Sequence, residues 1–198
     1  MAYHGYIPYM KNYLSSLQAP RVLEIGLDKG ITTIPIVSSL ASGKKKFEFL
    51  GIDILLQESL LIILRNLDYL EEQKVYLSQG NSLDILPDLS KMGVKYDLIL
   101  IDGDHNYYTV KKELSYLPEL CHENTVVVID DYHGRWSDRD LWYSERPGYE
   151  EVVSSTKPVE TEKHGVKPAV DEFLVDNPGW FLSSPIKGEP VILTKRKL

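Results

Sequence analysis

Five short apolar runs alternate with longer segments of helical spacing, and this alternation restricts the fold of the 198-residue chain more than any other feature. The runs lie at 20–25, 46–53, 74–78, 96–102 and 125–130, and the helical segments lie at 30–40, 55–72, 82–91 and 106–120. Strands that are buried on both faces are continuous in Val, Ile and Leu, as in a parallel sheet covered by helices. The pattern predicts an α/β fold with a doubly wound, mostly parallel, Rossmann-like sheet.

The pattern changes after residue 131. Residues 132–165 have no helical or strand period, whereas 166–175 again has helical spacing and 180–183 with 190–195 predicts a C-terminal antiparallel hairpin turning at 186–189. We therefore expect a single domain over 1–198 with an irregular insert at 132–165. Long loops inside compact domains are commonly functional. The insert contains several Trp, Tyr and Arg residues, which suit either a substrate lid or an oligomer contact.

Composition excludes several classes of protein. The chain has 22 basic and 29 acidic residues, a net charge of −7, which argues against nucleic acid or an anionic membrane as the main partner. Cys121 is the single cysteine, so no internal disulfide or cysteine-rich metal cluster is expected. No apolar run approaches the roughly 20 residues of a membrane-spanning helix, and 1–17 lacks the pattern of a signal peptide. We expect a soluble, cytoplasmic protein.

Acidic residues stand at or next to the ends of most predicted strands, at Asp53, Asp102, Asp130 and Asp131. Ligands of open α/β sheets bind beyond the carboxyl ends of the strands, so these side chains should converge on one edge. A single Asp at such a position often only caps the next helix. The convergence of the whole set favours a ligand site.

The first strand ends in the turn Glu24-Ile25-Gly26-Leu27-Asp28-Lys29-Gly30. Its glycines let the backbone approach a ligand closely, and the following helix start supplies N–H groups. Because Glu24 lies within an apolar strand, it should have a hydrogen-bonding or cationic partner. Asp53, at the end of the second strand, is placed to accept both hydroxyls of a ribose. The three-glycine spacing of a dinucleotide fingerprint is missing, which argues against an NAD-dependent dehydrogenase.

These motifs resemble those of class I S-adenosylmethionine-dependent methyltransferases. The residues that carry the resemblance are the Glu-Ile-Gly-x-x-x-Gly turn, Asp53 and the strand Asp-Leu-Ile-Leu-Ile-Asp-Gly-Asp-His. Together with Ile-Asp-Asp-Tyr at 129–132, they are similar to the metal-dependent small-molecule O-methyltransferases that act on catechols and macrolide sugars. The resemblance covers about 18–135 and returns at 165–174. It implies the methyltransferase fold and, as acceptor, a hydroxyl of a small molecule.

The resemblance also assigns S-adenosylmethionine to the first turn and its neighbours. Gly26 and Gly30 would line the methionine end of the cofactor, Asp53 would bind the ribose, and Asn81 with Ser82 would lie by the adenine. Asn81 departs from the family, which more often has Asp there. The full set expected to bind the cofactor is Glu24, Gly26, Gly30, Thr32, Asp53, Asn81, Ser82 and Asp102.

By the same resemblance, Asp102, Asp130 and Asp131 would hold a divalent cation. Three carboxylates suit Mg²⁺. Without a cation they would repel one another, and this repulsion would raise the pKa of one of the three carboxyl groups. The alternative is that Asp131 caps its loop and Asp102 caps the following helix.

His105 stands three residues after Asp102, where the family places a general base. An imidazole accepts a proton at neutral pH, and a metal would lower the pKa of the acceptor hydroxyl. The resemblance therefore assigns catalysis to His105 and Asp102, with His133 as a second-choice base. The alternative for His105 is a solvent-exposed residue at the start of a helix. Three further alternatives remain open: an amine acceptor or transfer without a metal, a non-catalytic binding module, and a homo-oligomer formed through the apolar face of 55–70, which burial against the sheet would explain equally well.

Overall fold

We describe a computed structural model of the chain in which residues 5–183, 188 and 190–195 are defined. Seven strands form one sheet: β1 (Arg21–Ile25), β2 (Phe47–Asp53), β3 (Gln73–Gln79), β4 (Tyr96–Ile101), β5 (Cys121–Ile129), β6 (Trp180–Ser183) and β7 (Val191–Lys195). The strand order is β3-β2-β1-β4-β5-β7-β6. Strands β1 to β5 pair in parallel, while β7 pairs antiparallel with both β5 and β6. The predicted α/β class, parallel sheet and C-terminal hairpin are confirmed, although most of the expected turn lies outside the described residues.

The helices cover both faces of the sheet. They are α1 (Tyr6–Ser15), α2 (Thr33–Ser42), α3 (Glu58–Arg65), α4 (Ser82–Lys91), α5 (Tyr107–Leu114), α6 (Leu117–Leu120) and α7 (Val166–Asp176). Alternate residues of the strands point to opposite faces of the sheet, and a hydrophobic core lies on each face. Val22 and Leu98 pack in the core with α1 to α3, whereas Leu23 and Ile99 pack in the core with α4 to α7. Among the described helices, none is both long and apolar enough to cross a membrane.

Two helix predictions were wrong in extent. The segment 55–72 is helical only over α3, because the chain leaves the helix at Asn66, whose side-chain amide donates to the Ile62 carbonyl. The segment 106–120 is divided into α5 and α6. Pro118 cannot continue α5, since its ring would clash with the carbonyl of Leu114, but it is tolerated in the first turn of α6. Helix α1, which the sequence analysis did not anticipate, buries Tyr6, Met10 and Leu14.

The apolar face predicted for 55–72 is only partly used in the core. Leu60 and Leu64 are buried, whereas Ile62 and Ile63 on α3 and Leu70 in the following loop remain substantially exposed. An oligomer contact through this face stays a prediction.

Candidate active site

The carboxyl ends of β1 to β4 open into one pocket with about 830 Å³ of space free of protein atoms, including its open mouth. All eight residues predicted to bind a cofactor lie in or beside it. Those that line it directly are Glu24, Gly26, Thr32, Asp53, Asn81, Ser82 and Asp102. Gly30 lies within the first turn, between lining residues on either side. The sheet therefore brings together side chains that are up to 78 residues apart in the sequence.

Gly26 lets β1 and β4 approach each other at the pocket floor. Its φ is +85°, and a Cβ at this position would overlap the backbone carbonyl of Asp102. A residue with a side chain therefore fits neither the backbone conformation nor the space. The Asp102 backbone is fixed from the same side, because its N–H donates to the Ile25 carbonyl at 2.8 Å.

Asp53 holds the first turn in place. Its Oδ2 accepts the backbone N–H groups of Leu27 at 2.6 Å and Asp28 at 3.0 Å, and Oδ1 accepts that of Leu55 at 2.8 Å. A carboxylate has about four acceptor positions, so roughly one remains for a ligand. Binding two ribose hydroxyls at once, as the sequence suggested, would require one of these backbone bonds to yield.

Glu24, for which the sequence analysis expects a hydrogen-bonding or cationic partner, is buried without a cationic partner among the described residues. It is 1% exposed, and within the described part of the chain its Oε2 has no hydrogen-bond partner. Burial raises the pKa of Glu24 to about 8; the nearby Thr33 hydroxyl opposes this shift and the charge of Asp53 adds to it. Thr33 does not reach Oε2 as a hydrogen-bond donor. The carboxyl group is therefore a buried acid at the pocket wall, and residues 5–183, 188 and 190–195 supply no positive partner for it.

Glu113 is a pocket residue that the sequence analysis missed. It lies on α5, is 1% exposed, and its Oε1 accepts the Ser82 hydroxyl at 2.6 Å. Burial raises its pKa to about 8, with Ser82 opposing the shift and Asp104 adding to it. A signal was available, because Glu113 stands between Val110 and Leu117 at the spacing of a buried helix face.

Asn81 joins helix α4 to the insert. Its Oδ1 accepts the Leu83 N–H at 2.9 Å as the helix cap, and its Nδ2 donates to the Thr156 hydroxyl at 2.7 Å. The amide thus satisfies a backbone donor and ties the insert to the edge of the pocket at the same time.

Replacing Asn81 by alanine is expected to lower the free energy of unfolding by about 1–2 kcal/mol, because the cap and the bond to Thr156 are both lost. Urea denaturation of the purified protein measures this. Asn81→Asp is the matched control: its carboxylate still caps α4 and accepts the Thr156 hydroxyl, so its stability should stay close to wild type. An alanine variant with the wild-type urea midpoint would contradict this role.

An acidic and imidazole cluster adjoins the pocket. One ligand atom each from Asp102, His105 and Asp130 lies within 4.8 Å of the others. Burial raises the pKa of Asp102 well above its usual range, and Asp130, Glu24 and Asp131 add to the rise. His105 is buried, with Nε2 3.6 Å from Asp102 Oδ1 and Nδ1 3.7 Å from Asp131 Oδ2. Burial, assisted by the charge of Arg146, lowers the pKa of His105 to about 4.

The third member of this cluster differs from the predicted metal set. Asp131 has φ +56°, and its carboxylate faces the backbone of Arg135 and Trp136, whose N–H groups oppose the rise in its pKa caused by burial. His105 lies next to Asp102 and Asp130, and its Nδ1 is 3.7 Å from Asp131 Oδ2, so Asp131 borders the cluster. His133 is exposed and packs edge-on against Tyr132, outside the cluster.

The insert crosses the pocket mouth and is bonded to it at several points. The Leu141 N–H donates to the His105 carbonyl at 3.0 Å, and the Tyr143 N–H donates to Asp104 at 2.7 Å. Further along, Tyr149 bonds Gln57 and Thr156 bonds Asn81. Tyr143 and Tyr149 line the pocket, and their rings pack edge-to-face with the ring centroids 5.1 Å apart. The insert therefore covers the pocket of the sheet as well as the acidic cluster.

Comparisons with known proteins give the same fold. A family model described as a methyltransferase domain matches residues 23–132, and no curated protein sequence matches the chain. Three solved structures are similar. Cofactor-bound Rv0187 from MTB has a TM-score of 0.63 and 18% sequence identity, and the match covers 98% of this chain and 81% of Rv0187. The O-methyltransferase TomG from Streptomyces achromogenes in complex with SAM has a TM-score of 0.59 and 18% identity, with 98% of this chain and 80% of TomG covered. MycE of the mycinamycin biosynthetic pathway, in complex with Mg and SAH, has a TM-score of 0.56 and 16% identity, with 95% of this chain and 48% of MycE covered. The chain thus spans about half the length of MycE.

Proposed function

The chain belongs to the methyltransferase-domain family, and from this premise we propose that it transfers a methyl group from S-adenosylmethionine to a hydroxyl oxygen of a small molecule. The observation that carries the proposal is the position of Asp102. It lines the pocket at the ends of β1 to β4 and also belongs to the cluster with His105 and Asp130. A cofactor in the pocket and a hydroxyl at the cluster would therefore meet at one residue.

The pocket suits a cofactor with a cationic amino-acid end. Glu24 is a buried acid to which the described residues offer no positive partner, and the ammonium group of a methionine moiety would supply one. Gly26 lines this pocket with backbone atoms only, because it has no side chain. Asp53 keeps the first turn folded and offers about one acceptor position to a ribose hydroxyl. Asn81 and Ser82 lie across the pocket, where we place the adenine.

The cluster suits a divalent cation, because buried carboxyls that share one site repel each other without one. Mg²⁺ bound there would supply positive charge that lowers the pKa of the acceptor hydroxyl. Asp102 and Asp130 are our first two ligands. Asp131 is the third by its oxygen chemistry, although His105 lies nearer to the other two. Calorimetric Mg²⁺ titration of Asp131→Asn and His105→Gln separates the two choices.

His105 is our candidate for the base. Its imidazole is neutral at pH 7, so one ring nitrogen has a lone pair that can accept a proton, and the lowered pKa makes it a weaker base than an ordinary histidine. In the proposed reaction the hydroxyl proton passes to His105, the oxygen forms a bond to the methyl carbon, and the carbon–sulfur bond breaks to leave a neutral thioether. The insert excludes water from this step and holds the oxygen close to the methyl group.

Calorimetric titration with S-adenosylmethionine and S-adenosylhomocysteine tests the proposal directly. We expect saturable 1:1 binding of both and none of NAD. Incubating the protein with S-adenosylmethionine, Mg²⁺ and a panel of sugars, phenols and amines should then add one methyl group, seen by mass spectrometry, to a hydroxyl compound. Methylation of amines alone would overturn the acceptor assignment, and failure to bind either sulfur compound would overturn the proposal as a whole.

A further inference from the structure

Asp140 of the insert connects the beginnings of two helices, and the proposed reaction gives it no part. Its side chain is only 13% exposed. Oδ1 accepts the backbone N–H groups of Tyr107 at 2.9 Å and of Gly165 at 2.7 Å, and Oδ2 lies 2.7 Å from Nδ1 of His164. Tyr107 is the first residue of α5, and Gly165 immediately precedes α7. One carboxylate therefore serves two helix N-termini, where N–H groups lack partners within the helix and the dipole favours negative charge.

Residues 140–143, which we call the strap, run antiparallel to the segment that carries His105. The Leu141 N–H donates to the His105 carbonyl at 3.0 Å, and the Tyr143 N–H donates to Asp104 Oδ1 at 2.7 Å. The imidazole is attached to a backbone that is itself bonded to the strap. A displacement of the strap therefore displaces the imidazole as well.

The chain leading into the strap is fixed on the first turn of α7. The Val166 N–H donates to the Trp136 carbonyl and the Lys167 N–H donates to the Ser137 carbonyl, both at 3.0 Å. The two segments come closest at Gly165, which has φ +82° and where a Cβ would lie 2.5 Å from the Ser137 carbonyl oxygen. Only glycine fits this conformation and this space. Helix α7 is thus the support to which this part of the insert is attached.

These contacts give a role to the segment 165–174, which carries part of the family resemblance although the pocket lining and the acidic cluster lie elsewhere. Asp140 joins that segment to His105, because it belongs to the strap and bonds to both α5 and α7. The imidazole that depends on this connection is buried, with Nε2 3.6 Å from Asp102 Oδ1. A general base acts only within hydrogen-bond reach of the proton it takes, so a displacement of about 1 Å lowers the rate.

We propose that Asp140 is a positioning residue, which keeps the imidazole of His105 beside Asp102 by binding the strap to the first turns of α5 and α7. Asp140 is neither a lining residue of the pocket nor a member of the acidic cluster, so it acts through His105. The inference rests on the proposed function for the role of His105 as the base. The connection between Asp140 and His105 is geometric and has a test of its own.

Heteronuclear NMR of the histidine ring nitrogens, on metal-free protein at constant pH, tests this connection without any acceptor. A neutral imidazole held in one position shows a single tautomer with two separate nitrogen signals, whereas a mobile ring averages its tautomers. The variant His105→Gln assigns the signals. In Asp140→Ala we expect the His105 signals to broaden and move towards those of a free imidazole. The signals of His122, which pairs with Asp97 far from the strap, should not change.

Two variants separate positioning from a general loss of stability. Asp140→Asn has lost the charge but still has an oxygen in place of Oδ1, so the His105 signals should stay as in wild type. Asp138→Ala removes an exposed carboxylate two residues earlier in the insert and is the matched control. If Asp140→Ala does not fold, Asp140→Glu replaces it: the side chain keeps its charge but is one methylene longer, so the strap and the His105 signals should shift.

With an acceptor from the screen, Asp140→Ala should lower kcat about tenfold or more, while calorimetry shows S-adenosylhomocysteine affinity unchanged and Asp140→Asn restores the rate. Unchanged His105 signals in Asp140→Ala would overturn the inference, even if stability falls, because Asp140 would then only cap the helices. Equal changes in the alanine and asparagine variants would overturn it too. Failure of wild type to bind S-adenosylhomocysteine would instead overturn the proposed function, and the His105 signals would still decide the role of Asp140.

Discussion

Replacing Asp102 by asparagine should lower the rate of methyl transfer at least about 100-fold, the usual range for losing a group that acts on the reacting hydroxyl. Asparagine keeps the shape of the side chain but removes the charge shared by the pocket and the cluster with His105 and Asp130. Mg²⁺ affinity should fall with the rate. The measurements are kcat with the acceptor found in the screen and calorimetric Mg²⁺ titration.

Stability should move in the other direction, which distinguishes loss of chemistry from damage to the fold. In the metal-free protein Asp102 is buried beside Asp130 and Glu24, and a neutral amide in its place removes repulsion between carboxyl groups. We expect Asp102→Asn to unfold at the same or a higher urea concentration than wild type. Asp68→Asn, in an exposed loop, is the control and should leave rate and stability unchanged. A variant that transfers methyl groups at the wild-type rate would show that Asp102 has no part in the reaction.

The parallel sheet could be predicted because its strands are chemically distinct from everything around them. A run such as Tyr-Asp-Leu-Ile-Leu-Ile at 96–101 is stable only when both faces are covered, and five such runs leave few arrangements. Helix boundaries were harder to predict. The apolar spacing of 55–72 continues through Leu67 and Leu70, and nothing local shows that Asn66 ends the helix by bonding to Ile62. Helix α1 was missed although Tyr6, Met10 and Leu14 are four residues apart, the spacing of one buried face.

The site was predictable to the extent that it depends on strand ends. Carboxyl ends of parallel strands meet at one edge, so the convergence of Asp53 and Asp102 follows from the fold. What each acid contacts did not follow. Asp53 is occupied by backbone N–H groups 25 and 26 residues earlier, and Thr156 of the insert reaches Asn81 across 75 residues. Such contacts depend on the path of irregular backbone. Irregular segments have no hydrophobic periodicity, so their path could not be predicted from the sequence.

Replacing Glu113 by glutamine should increase the free energy of unfolding, and this gain should depend on pH. In the folded protein burial holds its pKa at about 8, whereas an unfolded chain ionises it near the ordinary value of 4.5. Between these two values the unfolded state has lost a proton that the folded state keeps. Stability contributed by this group therefore falls as pH rises, by about 1.4 kcal/mol per pH unit at most, and levels off above pH 8.

Glutamine cannot ionise, and its carbonyl still accepts the Ser82 hydroxyl, so it imitates the protonated acid. Near pH 5 the two proteins should have similar free energies of unfolding. By pH 8 Glu113→Gln should be more stable by several kcal/mol, measured by urea denaturation at each pH. Glu24 also has its pKa raised to about 8 and lowers the stability of both proteins alike, so the difference isolates Glu113. Glu119→Gln, exposed on α6, is the matched control. A difference that stays constant from pH 5 to 8 would mean that Glu113 is ionised in the fold, and the pocket wall beside Ser82 would then carry a charge at neutral pH.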